Sequence, residues 1–354
     1  MHSYFSSFKK AQTLDNRYNE ISKFLNKTPV LTSNSINSEL GSSLYFKCEN
    51  FQKSGAFKMR GVSNAIFELV KNREIPQGLI AHSSGNHGQA LAWAAKKHKI
   101  PCIIVMPENA SEFKKKAIRA AGAKIHECES NIASRISSVK KIISKLGFTE
   151  IHPSNQPSVI LGQGSAAWEL LKYCKSHNIN LDFIGVPIGG GGLAAGSCFS
   201  VAIWNKLHGT STKVFGAEPI GADDAYRSLK SGKIERNENP VTLADGLRTE
   251  LGDVNFPLIQ DLIHSIYLVS DSEIINGQIK LIERLKIMIE SNCSPPFSAV
   301  QKNKNDFKGK KTGIILSGGN IDLKNSKWLL KIRKVENRKR RIFSDVLQPL
   351  MNLF

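Results

Sequence analysis

No apolar run in the 354 residues approaches the length of about 18 that a membrane-spanning helix needs, so the sequence contains no evident span. The first residues, Met1-His2-Ser3-Tyr4-Phe5, lack the basic segment and apolar core of a secretory signal. Cysteine is sparse, with six residues (Cys48, Cys102, Cys128, Cys174, Cys198 and Cys293) and no CxxC pair. That argues against a disulfide framework or a cysteine zinc site and predicts reduced thiols in a cytoplasmic protein. Zinc-finger spacing, a basic zipper and an RNP-type aromatic pattern are also missing, although the net charge is +19. The charge is uneven: residues 324–354 hold nine lysines and arginines against two acidic residues. A solvated basic surface accounts for this, and neither a nucleic-acid nor a membrane partner is expected.

What is present is a strand–helix rhythm. Strands are expected at Leu44–Cys48, Leu79–Ala81, Cys102–Met106, Lys124–Glu127, Phe183–Ile188, Val214–Ala217 and Thr312–Leu316. Helices are expected at Val62–Val70, Gln89–Lys97, Glu112–Ala121, Ile132–Leu146, Ile160–Cys174 and Ile274–Ile289. Alternation at this spacing predicts βαβ units around parallel sheets, an α/β fold. Lys302–Lys311 reads as an exposed connection, and residues 324–354 as a basic C-terminal tail outside the pattern.

Four polar or glycine-rich stretches interrupt the rhythm. The first, Ser54-Gly55-Ala56-Phe57-Lys58-Met59-Arg60-Gly61, sets one lysine among apolar groups where a turn meets a helix start. Desolvation lowers a lysine's pKa and makes its amine a usable nucleophile and base. The second, Ser83-Ser84-Gly85-Asn86-His87-Gly88-Gln89, lies between a strand and a helix, where backbone N–H groups and neutral side-chain donors suit a carboxylate. An ordinary helix-capping turn is the plain alternative. In the third, Gly189-Gly190-Gly191-Gly192 follow a strand and form a backbone nest for a phosphate. A dinucleotide fingerprint on Gly190, Gly192 and Ala195 lacks the acidic residue about 20 positions on, so a small phosphate monoester is favoured. The fourth, Ser317-Gly318-Gly319-Asn320, puts a hydroxyl at the carboxyl end of the last strand. A lysine amine, a carboxylate loop, a phosphate cradle and a lone hydroxyl together meet the needs of pyridoxal 5′-phosphate.

From about Asn26 to Leu323 the sequence resembles the fold-type II pyridoxal-phosphate enzymes of the serine racemase and serine/threonine dehydratase (threonine ammonia-lyase) group. Beside the four stretches, the resemblance rests on Phe46–Gln52, His152-Pro153, Gly162-Gln163-Gly164, Glu218-Pro219, Ala222-Asp223-Asp224 and Ala244-Asp245-Gly246. It implies two open twisted parallel-sheet domains with the cofactor in the cleft between them. The larger would comprise residues 1–76 and 155–323, with the smaller, 77–154, inserted. Lys58 would form the internal Schiff base and Phe57 would pack on the ring. Asn86 would bond the ring's 3′ oxygen, Gly189 to Gly192 would hold the phosphate, and Ser317 would meet the pyridine nitrogen. Ser83, Ser84, Asn86 and His87 would line the substrate pocket, with Ser84 also serving the face opposite the lysine. Glu218, the carbonyl of Ala222 and Asp224 would hold Mg²⁺, or Ca²⁺ or Mn²⁺. A homodimer is implied.

The chain departs from the group at Glu290-Ser291-Asn292-Cys293-Ser294-Pro295-Pro296, where Glu-Pro-Ser/Thr is usual. Paired prolines fit a helix start and not its interior. The expected activity is dehydration of L-threonine or L-serine to a 2-oxo acid and ammonia. Serine racemase and 3-hydroxyaspartate ammonia-lyase are the alternatives, and for the latter Arg248 is a candidate for the second carboxylate. A basic nucleic-acid-binding protein or an inactive scaffold of the same fold is the non-enzyme alternative.

Overall fold

The strands of the computed structural model, which describes residues 3–8 and 10–323, fall into two sheets. They are β1 (Val30–Leu31), β2 (Ser43–Cys48), β3 (Leu79–His82), β4 (Cys102–Pro107), β5 (Lys124–Cys128), β6 (Thr149–Glu150), β7 (Phe183–Pro187), β8 (Lys213–Pro219), β9 (Ser265–Val269) and β10 (Lys311–Leu316). A six-stranded sheet has the order β1-β2-β10-β7-β8-β9, and a four-stranded sheet β5-β4-β3-β6. Every pairing is parallel except β1 with β2. The basic segment 324–354 lies outside the described residues.

The smaller sheet comes wholly from one stretch of chain between β2 and β7. In the larger sheet β10, last in sequence, sits between β2 and β7, with Ile314 opposite Phe46 on one side and Gly185 on the other. Its carboxyl end therefore lies beside those of β2 and β7. Open α/β sheets bind ligands at such a crossover point, off the carboxyl ends of the strands. Here β2 leads toward the Lys58 turn, β10 into Ser317, and β7 into the glycine loop.

Two helices lock this edge in place. The helix Lys58–Lys71 lies against the helix Pro157–Ser176 so closely that a Cβ on Gly162 would come within 2.5 Å of the Arg60 carbonyl. Beneath the contact, Arg60 is fully buried. It donates to Glu49 at 2.6 and 2.8 Å, to Glu169 at 2.8 Å through each terminal nitrogen, and to Ser165 at 3.1 Å. Lys47 of β2 also reaches Glu169, at 2.8 Å. Buried charges are tolerated when each is paired in this way.

Several boundaries differ from the sequence reading for identifiable reasons. The helix expected to reach Ile289 runs Asp271–Leu285, opened by a Ser270/Glu273 capping box and closed by Lys286 at φ 57°. The paired prolines do open a helix, Pro295–Lys302. The stretch expected to be exposed after Lys302 forms a short helix, Lys304–Phe307, with Phe307 buried. All six cysteines are free. Among the described residues no helix is long and apolar enough to cross a membrane.

Candidate active site

The Lys58 turn begins with two successive left-handed residues, Ser54 (φ 60°) and Gly55 (φ 72°), a conformation that a non-glycine residue adopts only under constraint. The turn is clamped to the end of β10: Phe57 donates its N–H to the Ser317 carbonyl at 2.9 Å, and Ala56 bridges Gly318. Lys58 opens its helix, and its ammonium lies 5.0 Å from the centre of the Phe57 ring. It donates to the Pro153 carbonyl at 2.7 Å. Desolvation pushes its pKa down to about 8.

Three imidazoles gather on this side of the site. His87 Nε2 meets the Ile151 carbonyl at 2.7 Å, and a carbonyl only accepts, so the proton sits on Nε2. That leaves Nδ1 as a buried lone pair without a partner. Burial, then Lys58, holds His87 well below the ordinary imidazole range. In this tautomer His87 accepts at Nδ1, so the donors expected for a carboxylate are Ser83, Ser84 and the backbone. His152 accepts from the N–H groups of Ser154 at 3.2 Å and Asn155 at 2.8 Å, and its ring lies edge-on to His82 at 5.9 Å. Burial, then His82 and Lys58, pushes it down to about 4.

Gly191 has φ 74°, and the helix Gly192–His208 starts after it with no side-chain cap, so its first N–H groups are left to another acceptor. Added Cβ atoms at Gly190 and Gly191 would strike Ser154 Oγ at 2.5 Å and Leu251 Cδ2 at 2.5 Å. Asn255 braces this loop by donating to the Gly190 carbonyl at 2.8 Å. On the other side Ser317 is buried, 3.5 Å from the Cys293 sulfur. Asn86, first residue of the helix Asn86–Lys97, donates to Glu290 at 2.6 Å and accepts from Asn320 at 2.9 Å.

The expected metal residues stand apart at the end of β8. Glu218 and Asp224 are both fully buried. Glu218 accepts from the N–H groups of Ala225 at 3.2 Å and Tyr226 at 2.8 Å, and Asp224 from Asn237 at 2.7 Å and Leu251 at 3.2 Å. Burial and then Asp224 raise Glu218 well above the carboxylate range, while burial pushes Asp224 up to about 7. Among the described residues no three His, Cys, Asp or Glu side chains gather as a metal cluster. Arg248, the candidate for a second carboxylate, is exposed and folds back on its own turn, donating to the Thr242 carbonyl through Nε at 3.1 Å and also through Nη2. A different arginine, Arg135, has a buried Nε without a partner and lies near enough to help lower the pKa of His82 after burial. A groove of about 790 Å³ along the helix Ile132–Leu146, edged by Lys140, Lys141 and Lys145, holds none of the other site residues.

A family model described as "Pyridoxal-phosphate dependent enzyme" matches residues 21–318. The chain belongs to this family. It is 44% identical over 312 residues to serine racemase of Dictyostelium discoideum, covering 86% of this chain and 93% of that protein. It is 39% identical over 311 residues to beta-hydroxyaspartate dehydratase of Paracoccus denitrificans, covering 88% and 96%. The crystal structure of a T.th. threonine deaminase superposes with a TM-score of 0.83 at 36% identity, covering 89% of this chain and 99% of that one. The fold is thus that of fold-type II enzymes, and the lysine turn, the glycine loop and the Ser317 turn meet at one sheet edge of a pyridoxal-phosphate enzyme. Glu290, Asn255 and Arg135 were not singled out as site residues in the sequence, because the site groups they face, Asn86, Gly190 and His82, lie far away along the chain.

Proposed function

We propose that this enzyme dehydrates a β-hydroxy amino acid, L-threonine or L-serine, to a 2-oxo acid and ammonia. The observation that carries this is the Lys58 amine, partnered by a carbonyl, at the same end of the larger sheet as an uncapped glycine nest and a neutral hydroxyl. That donor set fits pyridoxal 5′-phosphate: Lys58 for its aldehyde, Gly189 to Gly192 and the helix start for its phosphate, Phe57 against its ring. Asn86 would serve its 3′ oxygen and Ser317 its ring nitrogen. When bound, the cofactor supplies a sink for negative charge at the substrate Cα.

The remaining roles belong to the chain. Ser83, Ser84 and the uncapped N–H groups at the start of the helix Asn86–Lys97 hold the substrate carboxylate. Lys58, as the free amine, takes the Cα proton. The Cα–H electron pair forms the Cα–Cβ double bond as the Cβ–O bond breaks, and the hydroxyl leaves as water with the proton that Lys58 took from Cα, which returns Lys58 to the free amine. The resulting enamine becomes an imine and hydrolyses to the 2-oxo acid and ammonia. Ser317 offers a neutral partner to the ring nitrogen, which favours prompt elimination over prolonged charge storage. Racemisation needs a proton delivered to the other face, for which Ser84 is the matched hydroxyl.

A 3-hydroxyaspartate substrate is the second reading, supported by the unpartnered Arg135 nitrogen and by the Paracoccus relative. We further propose that Glu218, Asp224 and the Ala222 carbonyl hold Mg²⁺ or a similar ion, because two fully buried carboxylates, both raised by burial and Glu218 further by Asp224, call for a hard cation. Residues 77–154 would be the inserted smaller domain. Exposed Phe51 and Met288, beside the Asn50–Met288 hydrogen bond, support a homodimer, and the free thiols support a cytoplasmic location. The deciding experiment offers the purified enzyme L-serine, D-serine, L-threonine and both 3-hydroxyaspartate diastereomers, and assays 2-oxo acid and enantiomer. No 2-oxo acid from any of them would defeat the dehydratase reading.

A further inference from the structure

Asn86 can present either its C=O or its N–H₂ to a ligand, and the two ends differ by a simple flip of the side chain. The flip is settled here by a chain of contacts that starts at a group unable to turn over. The backbone carbonyl of Ser54 accepts from Asn320 Nδ2 at 2.7 Å. The same nitrogen donates to Asn86 Oδ1 at 2.9 Å. Asn86 Nδ2 then faces Glu290, donating to Oε1 at 2.6 Å. A carbonyl accepts only, so polarity passes from Ser54 through Asn320 to Asn86 and ends on a carboxyl that can accept.

Both outer members have room only because two glycines yield it. A Cβ on Gly55 would lie 2.3 Å from Asn320 Oδ1, and one on Gly318 would lie 2.6 Å from Glu290 Oε1. These glycines belong to the Lys58 turn and the Ser317 turn, so the chain of polar groups is built into the two segments that frame the site.

We propose that Glu290 and Asn320 are positioning residues that fix the facing of the Asn86 carboxamide, so that Asn86 meets the cofactor's ring oxygen only as an N–H donor. The inference rests on the assignment of Asn86 to that oxygen under Proposed function. One Nδ2 hydrogen is taken by Glu290 and the other remains for the ligand. Burial, then Asp245, pushes the Glu290 carboxyl up to about 7, against the hydrogen bonds from Asn86 and Asn292 and the charge of Lys114. A carboxyl that holds its proton easily does not repel a neighbouring oxyanion.

The test measures pyridoxal 5′-phosphate affinity of the full chain by equilibrium dialysis, together with the visible absorbance band of the bound cofactor. Variants are Asn86→Ala, Glu290→Ala, Glu290→Gln, Asn320→Ala and the double variant Asn86→Ala/Glu290→Ala. Losing one oriented hydrogen bond weakens binding by about tenfold. Asn86→Ala, Glu290→Ala and Asn320→Ala should each show that loss and a displaced band. Glu290→Gln, which can still turn an oxygen toward Asn86, should recover most of it. The double variant should be no weaker than Asn86→Ala alone, since Glu290 acts only through Asn86. Additive losses in the double variant, or a Glu290→Gln as weak as Glu290→Ala, overturn the positioning role. Should Asn86→Ala bind the cofactor normally, the assignment of Asn86 itself fails and the positioning role fails with it.

Discussion

The Lys58 ammonium donates to the Pro153 carbonyl at 2.7 Å, bridging 95 residues of chain. A neutral carbonyl orients the amine without compensating its charge, which is why desolvation can hold its pKa near 8. Only the neutral amine attacks an aldehyde. Capture of pyridoxal 5′-phosphate by the cofactor-free enzyme should therefore slow about tenfold per pH unit below 8 and level off above it. Stopped-flow absorbance across pH 6 to 10 (roughly the span on either side of that pKa) reads this directly. Borohydride reduction and peptide mapping should place the label on Lys58, and Lys58→Ala should lose nearly all turnover. A label on Lys47 or Lys53 would point to another site.

Ser84 separates elimination from racemisation. Elimination needs one base on one face of Cα, whereas racemisation needs a proton on the other face too. Ser84→Ala should abolish D-serine formation and leave appreciable pyruvate production from L-serine, and in the parent enzyme pyruvate should exceed D-serine. Coupled assay and chiral chromatography on the same samples give both rates. Equal loss of both would make Ser84 a carboxylate-binding residue alone.

Glu218 and Asp224 should make the fold sensitive to divalent ions. After full chelation, adding Mg²⁺ should raise the melting temperature by several degrees, and Glu218→Gln should remove that response. The stabilisation follows mass action on a site present only in the folded state. An unmoved melting temperature would identify the pair as carboxylates satisfied by the backbone N–H groups of Ala225, Tyr226 and Leu251.

Glu169 should report on acid stability. Burial alone would raise its carboxyl, but the charge and hydrogen bonds of Arg60, then those of Lys47, outweigh burial and hold it at about 2. A depressed carboxylate stabilises the fold above its unfolded pKa, about 4.3, and that contribution is lost as pH falls toward 2. Glu169→Gln should therefore lower the melting temperature at pH 7 (a loss of roughly 3 kcal/mol for a broken buried pair), with the gap closing below about pH 4. Thermal scans of both proteins across this range check it.

How much of this could be read from the sequence depended on how local each feature is. The Lys58 turn, the glycine loop and Ser317 were legible because each announces itself within a few residues, directly after an apolar strand. β1 was missed because it has two residues and pairs only at the sheet edge. β9 was missed because Ser265-Ile266-Tyr267-Leu268-Val269 carries no flanking glycine or catalytic motif, and only β8 defines it as a strand. Glu290 meets Asn86 from 204 residues away, and spacing on that scale leaves no trace in a linear pattern. Arg248 looked available because its turn matched a motif, yet its guanidinium closes that turn onto the Thr242 carbonyl.

The position of β10 carries a consequence for how the molecule comes into being. Synthesis delivers β2 and β7 long before β10, and these two strands are its partners on either side. Until Lys311–Leu316 emerge, both must wait with an unpaired edge, and Ser317 is not yet there to receive the Phe57 N–H. A ribosome stalled before β10 would thus release a chain with two sticky edges and no assembled catalytic centre. Such a nascent chain would depend on chaperones, and it could gain activity only if a separately made β10 segment were supplied in trans.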